Sequence, residues 1–171
     1  MDKIKSNGQK EFNKKRYDKH NSESKRKFKL LSDLLRTEYR DCEENFKYDG
    51  LWKPKDKFIK IEFEDRREKN FDGLRDGDYP YSNGYSILER KLKDDKNKSS
   101  LFVITKQGCD TEFGFINFAL ARKLYKEHKL ESEAFQARDT DKPEKRFLFP
   151  IDLCTFIKVN FKTGKIVKNG K

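Results

Sequence analysis

No stretch of this chain approaches the roughly 20 apolar residues needed to cross a bilayer. The opening segment, MDKIKSNGQKEFNKKRYDKH, lacks the apolar centre of a secretory leader. The expectation is a soluble, cytoplasmic protein with no membrane partner. Cysteine is scarce: Cys42, Cys109 and Cys154 lie far apart and form no CxxC, and His20 and His128 stand alone. That argues against a disulfide framework and against a Cys/His zinc site. No phosphate-cradling Gly-rich loop, nucleophile elbow or dinucleotide fingerprint is present. No internal repeat is visible.

Charge and aromatic rings are abundant. Charged residues make up 42% of the 171, against 33% apolar, yet 15 Phe, 7 Tyr and one Trp are too many rings for a disordered chain. The length fits one domain. The net charge of +11 is concentrated at the ends: residues 1–30 hold 11 Lys/Arg against 4 Asp/Glu, and the last fourteen hold five Lys and no acid. We therefore expect a basic arm over 1–22, a core domain over 23–157 and a basic tail over 158–171. Two basic ends on a mixed-charge body suit a polyanionic partner, most simply nucleic acid; a merely soluble surface has the same composition.

Hydrophobic periodicity predicts a long amphipathic helix from Ser24 to about Phe46, with Phe28, Leu31, Leu35 and Cys42 on one stripe and Glu38 in its gap. An inward acid needs a partner. Asp49-Gly50 and Pro54 then break the helix. KFIKIEF is the clearest strand: Ile59, Ile61 and Phe63 share one face; Lys60, Glu62 and Glu64 share the other. A long loop over REKNFDGLRDGDYPYSNG, a strand at YSILERKL, a turn at DDKNKSS and a buried strand at LFVIT follow. TEFGFINFALARKLYKEHKL reads as a second helix with Phe115, Phe118, Ala119 and Leu120 inward, and KRFLFPIDLCTFIKVNF as one or two short strands. Helices and strands in this order predict an α/β (α+β) fold: a central mixed sheet flanked by helices.

Alternate positions on a strand place the roots of Glu62 and Glu64 roughly 6–7 Å apart on one face, and a hairpin could bring Asp49 opposite them. Clustered carboxylates raise one another's pKa, and a bound divalent cation relieves that repulsion. A solvated edge strand would show the same Lys-x-Glu-x-Glu pattern. A second arrangement competes: Asp78, or Asp72 or Asp76, followed by Glu89-x-Lys91. Tyr79, Tyr81 and Tyr85 could stack on bases or pack locally.

Glu38, Asp49 in KYDG and Glu62-Phe63-Glu64 in KIEFED resemble the PD-(D/E)XK nuclease superfamily over roughly residues 24–104. Two departures are evident: Tyr48 stands where the first proline is expected, and Glu64 where the final lysine is expected. The resemblance implies a restriction-endonuclease-like core and a Mg²⁺- or Mn²⁺-dependent endonuclease acting on DNA, possibly as a homodimer. It implies Asp49 and Glu62 as metal ligands, Glu64 as the group that orients water, and Glu38 behind them. Lys91, or Lys60, would supply the missing lysine, and Arg66, Arg67 and Arg90 would meet backbone phosphates. The reading that stands against it is a non-catalytic nucleic-acid or protein-binding module.

Overall fold

The strand expected at KFIKIEF is the centre of the molecule. In the computed structural model, which describes residues 14–42, 48–93, 99–135 and 144–168, it is β3 (Ile59–Arg66). On one side it pairs with β2 (Gly50–Lys53), which pairs with β1 (Glu38–Asp41), both antiparallel. On the other side it pairs in parallel with β5 (Ser99–Lys106). The sheet continues antiparallel through β6 (Glu112–Asn117), β9 (Thr155–Asn160) and β10 (Lys165–Lys168), giving seven strands in the order β1-β2-β3-β5-β6-β9-β10. A second antiparallel sheet is built from β4 (Tyr85–Leu88), β8 (Glu144–Phe149) and β7 (Glu131–Phe135). The described residues form one mixed α/β domain, as the element order predicts.

Helix α1 (Lys14–Leu34) covers one face of the large sheet, burying Phe28 and Leu31 against Ile61, Val103, Phe113, Ile157 and Val159. The other face packs against the small sheet and three helices: α2 (Glu68–Asp76), α3 (Glu89–Lys93) and α4 (Phe118–Lys126). β3 is therefore covered on both faces and paired along both edges. The reading of Glu62 and Glu64 as the solvated face of an edge strand does not hold.

Several elements differ from expectation. The first helix stops at Leu34, and Glu38 begins β1, where it is exposed and paired with Arg40 (2.6 Å). The inward, helical Glu38 is thus corrected. The stop is a C-terminal cap: Thr37 N–H donates to Ser32 O (2.9 Å) and Arg36 N–H to Asp33 O (3.1 Å), with Arg36 at φ 54°. Helix α4 ends the same way, at His128 with φ 55°. Neither position is glycine, so neither stop is announced in the sequence. A left-handed backbone strains a residue with a Cβ. Arg36→Gly, on an exposed residue, is accordingly expected to raise stability by about 0.5–1 kcal/mol, read from the midpoint of urea unfolding.

The expected loop after β3 contains α2, which buries Phe71 and Leu74. Gly73 within it and Gly77 beyond it gave that helix the composition of a loop. The expected second helix is half strand. Residues 112–117 form β6, because Gly114 lies so close to the Phe156 ring that a Cβ would stand 2.7 Å from it. Helix α4 begins only after Asn117, whose side chain accepts from Leu120 N–H (3.0 Å), and Phe118 and Ala121 face inward while Ala119 is exposed. YSILERKL is β4 followed by α3. The expected basic tail is sheet from Lys158 to Lys168, and α1 begins inside the expected arm. Residues 1–13 of that arm, the turn at 94–98 and the last three residues lie outside the described residues. Among those described, no helix is long and apolar enough to cross a membrane.

Candidate functional site

Asp49 is held against the middle of β3 by its own backbone and side chain. Its N–H donates to Ile61 O (2.9 Å), and its Oδ2 accepts from Phe63 N–H (2.8 Å). The two bonds bracket Glu62. Gly50 follows because a Cβ there would meet the Tyr39 ring at 2.6 Å. The hairpin expected from Asp49-Gly50 thus delivers the acid beside Glu62.

Glu62 alternates away from α1 and points to the same side as Phe102, its partner on β5. Its side chain is 15% exposed, and its Oε2 is buried with no hydrogen-bond partner. Lys91 Nζ stands 3.9 Å from that oxygen, an ion pair too long to be a hydrogen bond. Burial pushes the Glu62 carboxyl above the usual range; Lys91 and Arg122 oppose the rise and Asp49 adds to it. Burial likewise pushes Asp49 up, opposed by the Phe63 N–H and by Lys25 and Lys91. Lys91 acts on both carboxyls, so Asp49, Glu62 and Lys91 form one cluster. Lys91 reaches it from α3, not from the strand expected there.

Glu64, two positions on, is engaged at both oxygens. Arg66 Nε lies 3.0 Å from Oε1, and Tyr85 OH donates to Oε2 (3.0 Å). Arg66 is largely buried, its guanidinium 5.4 Å and 5.2 Å from the ring centroids of Tyr81 and Tyr85. It lines a wall of the site and is not spread on the surface to meet a backbone, as expected of it. Arg67 and Arg90 are exposed. Lys60 lies over the Tyr48 ring (4.7 Å).

The competing arrangement is dissolved by local structure. Glu89 and Lys91 fall on a helix, where a separation of two residues points them to different sides. Glu89 accepts from Tyr125 OH (3.0 Å) and pairs with Lys93 (3.1 Å). Asp72 pairs with Lys106 (2.9 Å) and Arg75 (3.2 Å), and Asp76 with Arg75 (2.8 Å); Asp78 is exposed beyond α2. Tyr79 is exposed, whereas Tyr85 is buried in the apolar cluster.

Three side chains at the site carry no signal in the sequence. Arg122 of α4 donates to Lys91 O (3.3 Å) and Ser99 O (2.7 Å), tying α3 to the start of β5. Phe102 lies beneath Lys91, 5.5 Å from ring centroid to Nζ, and Arg146 arrives from β8. Each comes from a segment distant in sequence, so only the topology brings them in.

Among the described residues no group of three or more His, Cys, Asp or Glu is gathered closely enough to hold a metal by itself. Mg²⁺ needs fewer: it takes one or two carboxylates and fills its remaining positions with water and phosphate oxygens. Two buried carboxyls, one with an unpartnered oxygen, fit that requirement. Nucleophilic alternatives are poor. Burial pushes the Cys154 thiol up to about 12, and His20 lies on the α1 face, bonded to Asp65 (3.1 Å). Comparison with protein-family models, with curated proteins and with solved structures finds no match to this chain.

Proposed function

We propose that this protein is a Mg²⁺- or Mn²⁺-dependent endonuclease that hydrolyses DNA phosphodiester bonds with an activated water, on a restriction-endonuclease-like core. The observation that carries the reading is the buried, unpartnered Oε2 of Glu62, placed on a central strand, bracketed by Asp49 and faced by Lys91. A buried carboxylate oxygen without a hydrogen bond costs free energy unless something binds it. Folded proteins retain such groups mainly at working sites. A mixed sheet flanked by helices, with both acids at its centre, suits the core that the sequence resemblance implies.

Asp49 and Glu62 would hold the ion; when bound, it supplies Lewis-acid activation of water and neutralises charge at the leaving oxygen. The Phe63 N–H fixes the Asp49 carboxylate, and the parallel pairing of β3 with β5 fixes Glu62. Lys91 holds its ammonium where a phosphate oxygen or the attacking water would sit, the role expected of Glu64 from the sequence. Glu64 instead keeps Arg66 and Tyr85 in place. Arg67 and Arg90 are exposed to meet flanking phosphates, and with a net charge of +11 DNA affinity should fall steeply with salt.

The test is calorimetric titration of Mn²⁺ into the wild type, Asp49→Ala, Glu62→Ala and Glu89→Ala, followed by plasmid cleavage. Affinity is expected to fall by about tenfold or more in the first two variants. Their cleavage should be lost, and Glu89→Ala should behave as wild type. A folded wild type that binds DNA but no metal would leave a plain binding module.

A further inference from the structure

A cleft of about 320 Å³ opens beside the carboxylate cluster, lined from β3, β4, α3, β5, α4 and β8. Its lining is of two kinds. Phe102 and Phe118 supply an aromatic floor, their rings 5.3 Å apart, with the buried Tyr85 beside them. Lys91, Arg66 and Arg146 supply three positive charges, against the single acid Glu64, which Arg66 already pairs. A flat, apolar body with an anionic end matches both parts. A free phosphate would use only the cations, and an apolar ligand only the rings.

Lys91 fixes the orientation of such a ligand. It lines the cleft, and its Nζ is 3.9 Å from Glu62 Oε2. A nucleotide whose base sits on the aromatic floor therefore presents its phosphate at the carboxylate pair. The volume lies at the lower end for small-molecule sites, roughly 300 Å³ and upward. It suits one nucleotide. Bases inside a duplex are paired and stacked and cannot enter; one that is unpaired or turned out can.

We infer that this cleft receives a single unpaired nucleotide, so that the protein recognises DNA at a bulge, flap or single-stranded end and not along continuous duplex. The inference rests on the nuclease reading for its chemistry and names the class of substrate.

The test measures binding of three fluorescent hairpins by anisotropy in EDTA, where nothing is cleaved. One is fully paired, one carries a single unpaired nucleotide, and one is abasic at that position. The unpaired nucleotide is expected to bind about tenfold tighter than the paired hairpin, the size of one stacked base. The abasic probe should lose that gain. Arg146→Ala should lower the preference and Arg146→Lys keep most of it, with Mn²⁺ binding unchanged in both. Equal binding of all three hairpins, within about twofold, overturns the inference, as does an undiminished preference in Arg146→Ala. Mn²⁺ titration of the same preparations separates the two readings. Metal binding without a preference overturns the cleft assignment and keeps the nuclease. A preference without metal binding supports the cleft and removes the nuclease.

Discussion

Glu62→Gln is expected to raise the melting temperature of the metal-free protein at neutral pH by about 2–4 °C, corresponding to about 1 kcal/mol in a chain of this size. Glutamine has the same shape and no charge. The wild-type carboxyl is buried, its Oε2 makes no hydrogen bond, and Lys91 at 3.9 Å compensates it only in part. A buried amide costs less than a buried, incompletely paired carboxylate. The sign with pH follows from the direction of the shift. Burial raises the folded-state pKa of Glu62 above its unfolded value. The folded protein then holds the proton more tightly than the unfolded chain, and ionisation destabilises it. The advantage of glutamine is full above the raised folded pKa. It shrinks as pH falls and vanishes below the unfolded value of about 4.3. Metal should invert the order. An ion bound by Asp49 and Glu62 at about 100 times its dissociation constant adds about 2.7 kcal/mol to the wild type, and Glu62→Gln should lose most of that gain. Thermal melts in EDTA and in Mn²⁺, at neutral and acidic pH, read all three effects. A variant less stable than wild type in EDTA would mean that the Glu62 carboxylate already has its partner, and the case for a bound ion would fail.

The legible parts of this site are those set by local alternation. Period-two patterning put Ile61 and Phe63 on one face of β3 and Glu62 and Glu64 on the other, and the structure keeps that division. Asp49-Gly50 read as a turn, and its turn carries the acid to Glu62. What failed was long-range or concealed. Both left-handed helix caps use residues other than glycine, so α1 seemed to run on and carried Glu38 inward with it. Gly73 disguised α2, whose Phe71 and Leu74 are held by tertiary packing despite a poor helix former between them. The aromatic run at Phe113 to Phe118 fits a helix and a strand equally. Pairing with β5 and β9, and the close approach of Gly114 to Phe156, decide for strand over its first part. Lys91 was assigned to the wrong element but to the right place, because Tyr85–Leu88 ends beside β3 and the next helical turn projects back over it. The second carboxylate register failed for the complementary reason: spacing alone cannot tell a strand from the first turn of a short helix.

Asp65→Ala is expected to cost about 3–5 kcal/mol, the range for removing one partner of a buried ion pair. Asp65 follows Glu64 on β3 but faces α1, and its side chain is 2% exposed. It accepts from Thr105 Oγ1 (2.7 Å), Lys27 Nζ (3.2 Å) and His20 Nδ1 (3.1 Å), while Ser24 Oγ lies 2.8 Å from the Thr105 hydroxyl. Lys27, 3% exposed, would keep only its bond to Lys106 O (2.8 Å) and be left charged inside the protein. Replacing both partners removes that penalty, so Lys27→Met with Asp65→Leu should recover most of the loss, and the cycle should show strong coupling in urea unfolding. The same variant separates the two kinds of acid on β3. Asp65 fastens α1 to the back of the strand, whereas Glu62 and Asp49 form the cluster on its front. Asp65→Ala should therefore keep wild-type Mn²⁺ affinity at temperatures where it is folded, whereas Glu62→Gln should be stable and lose it. If Asp65→Ala lost metal binding while folded, β3 would not be the rigid partition between scaffold and site on which the assignment of Glu62 depends.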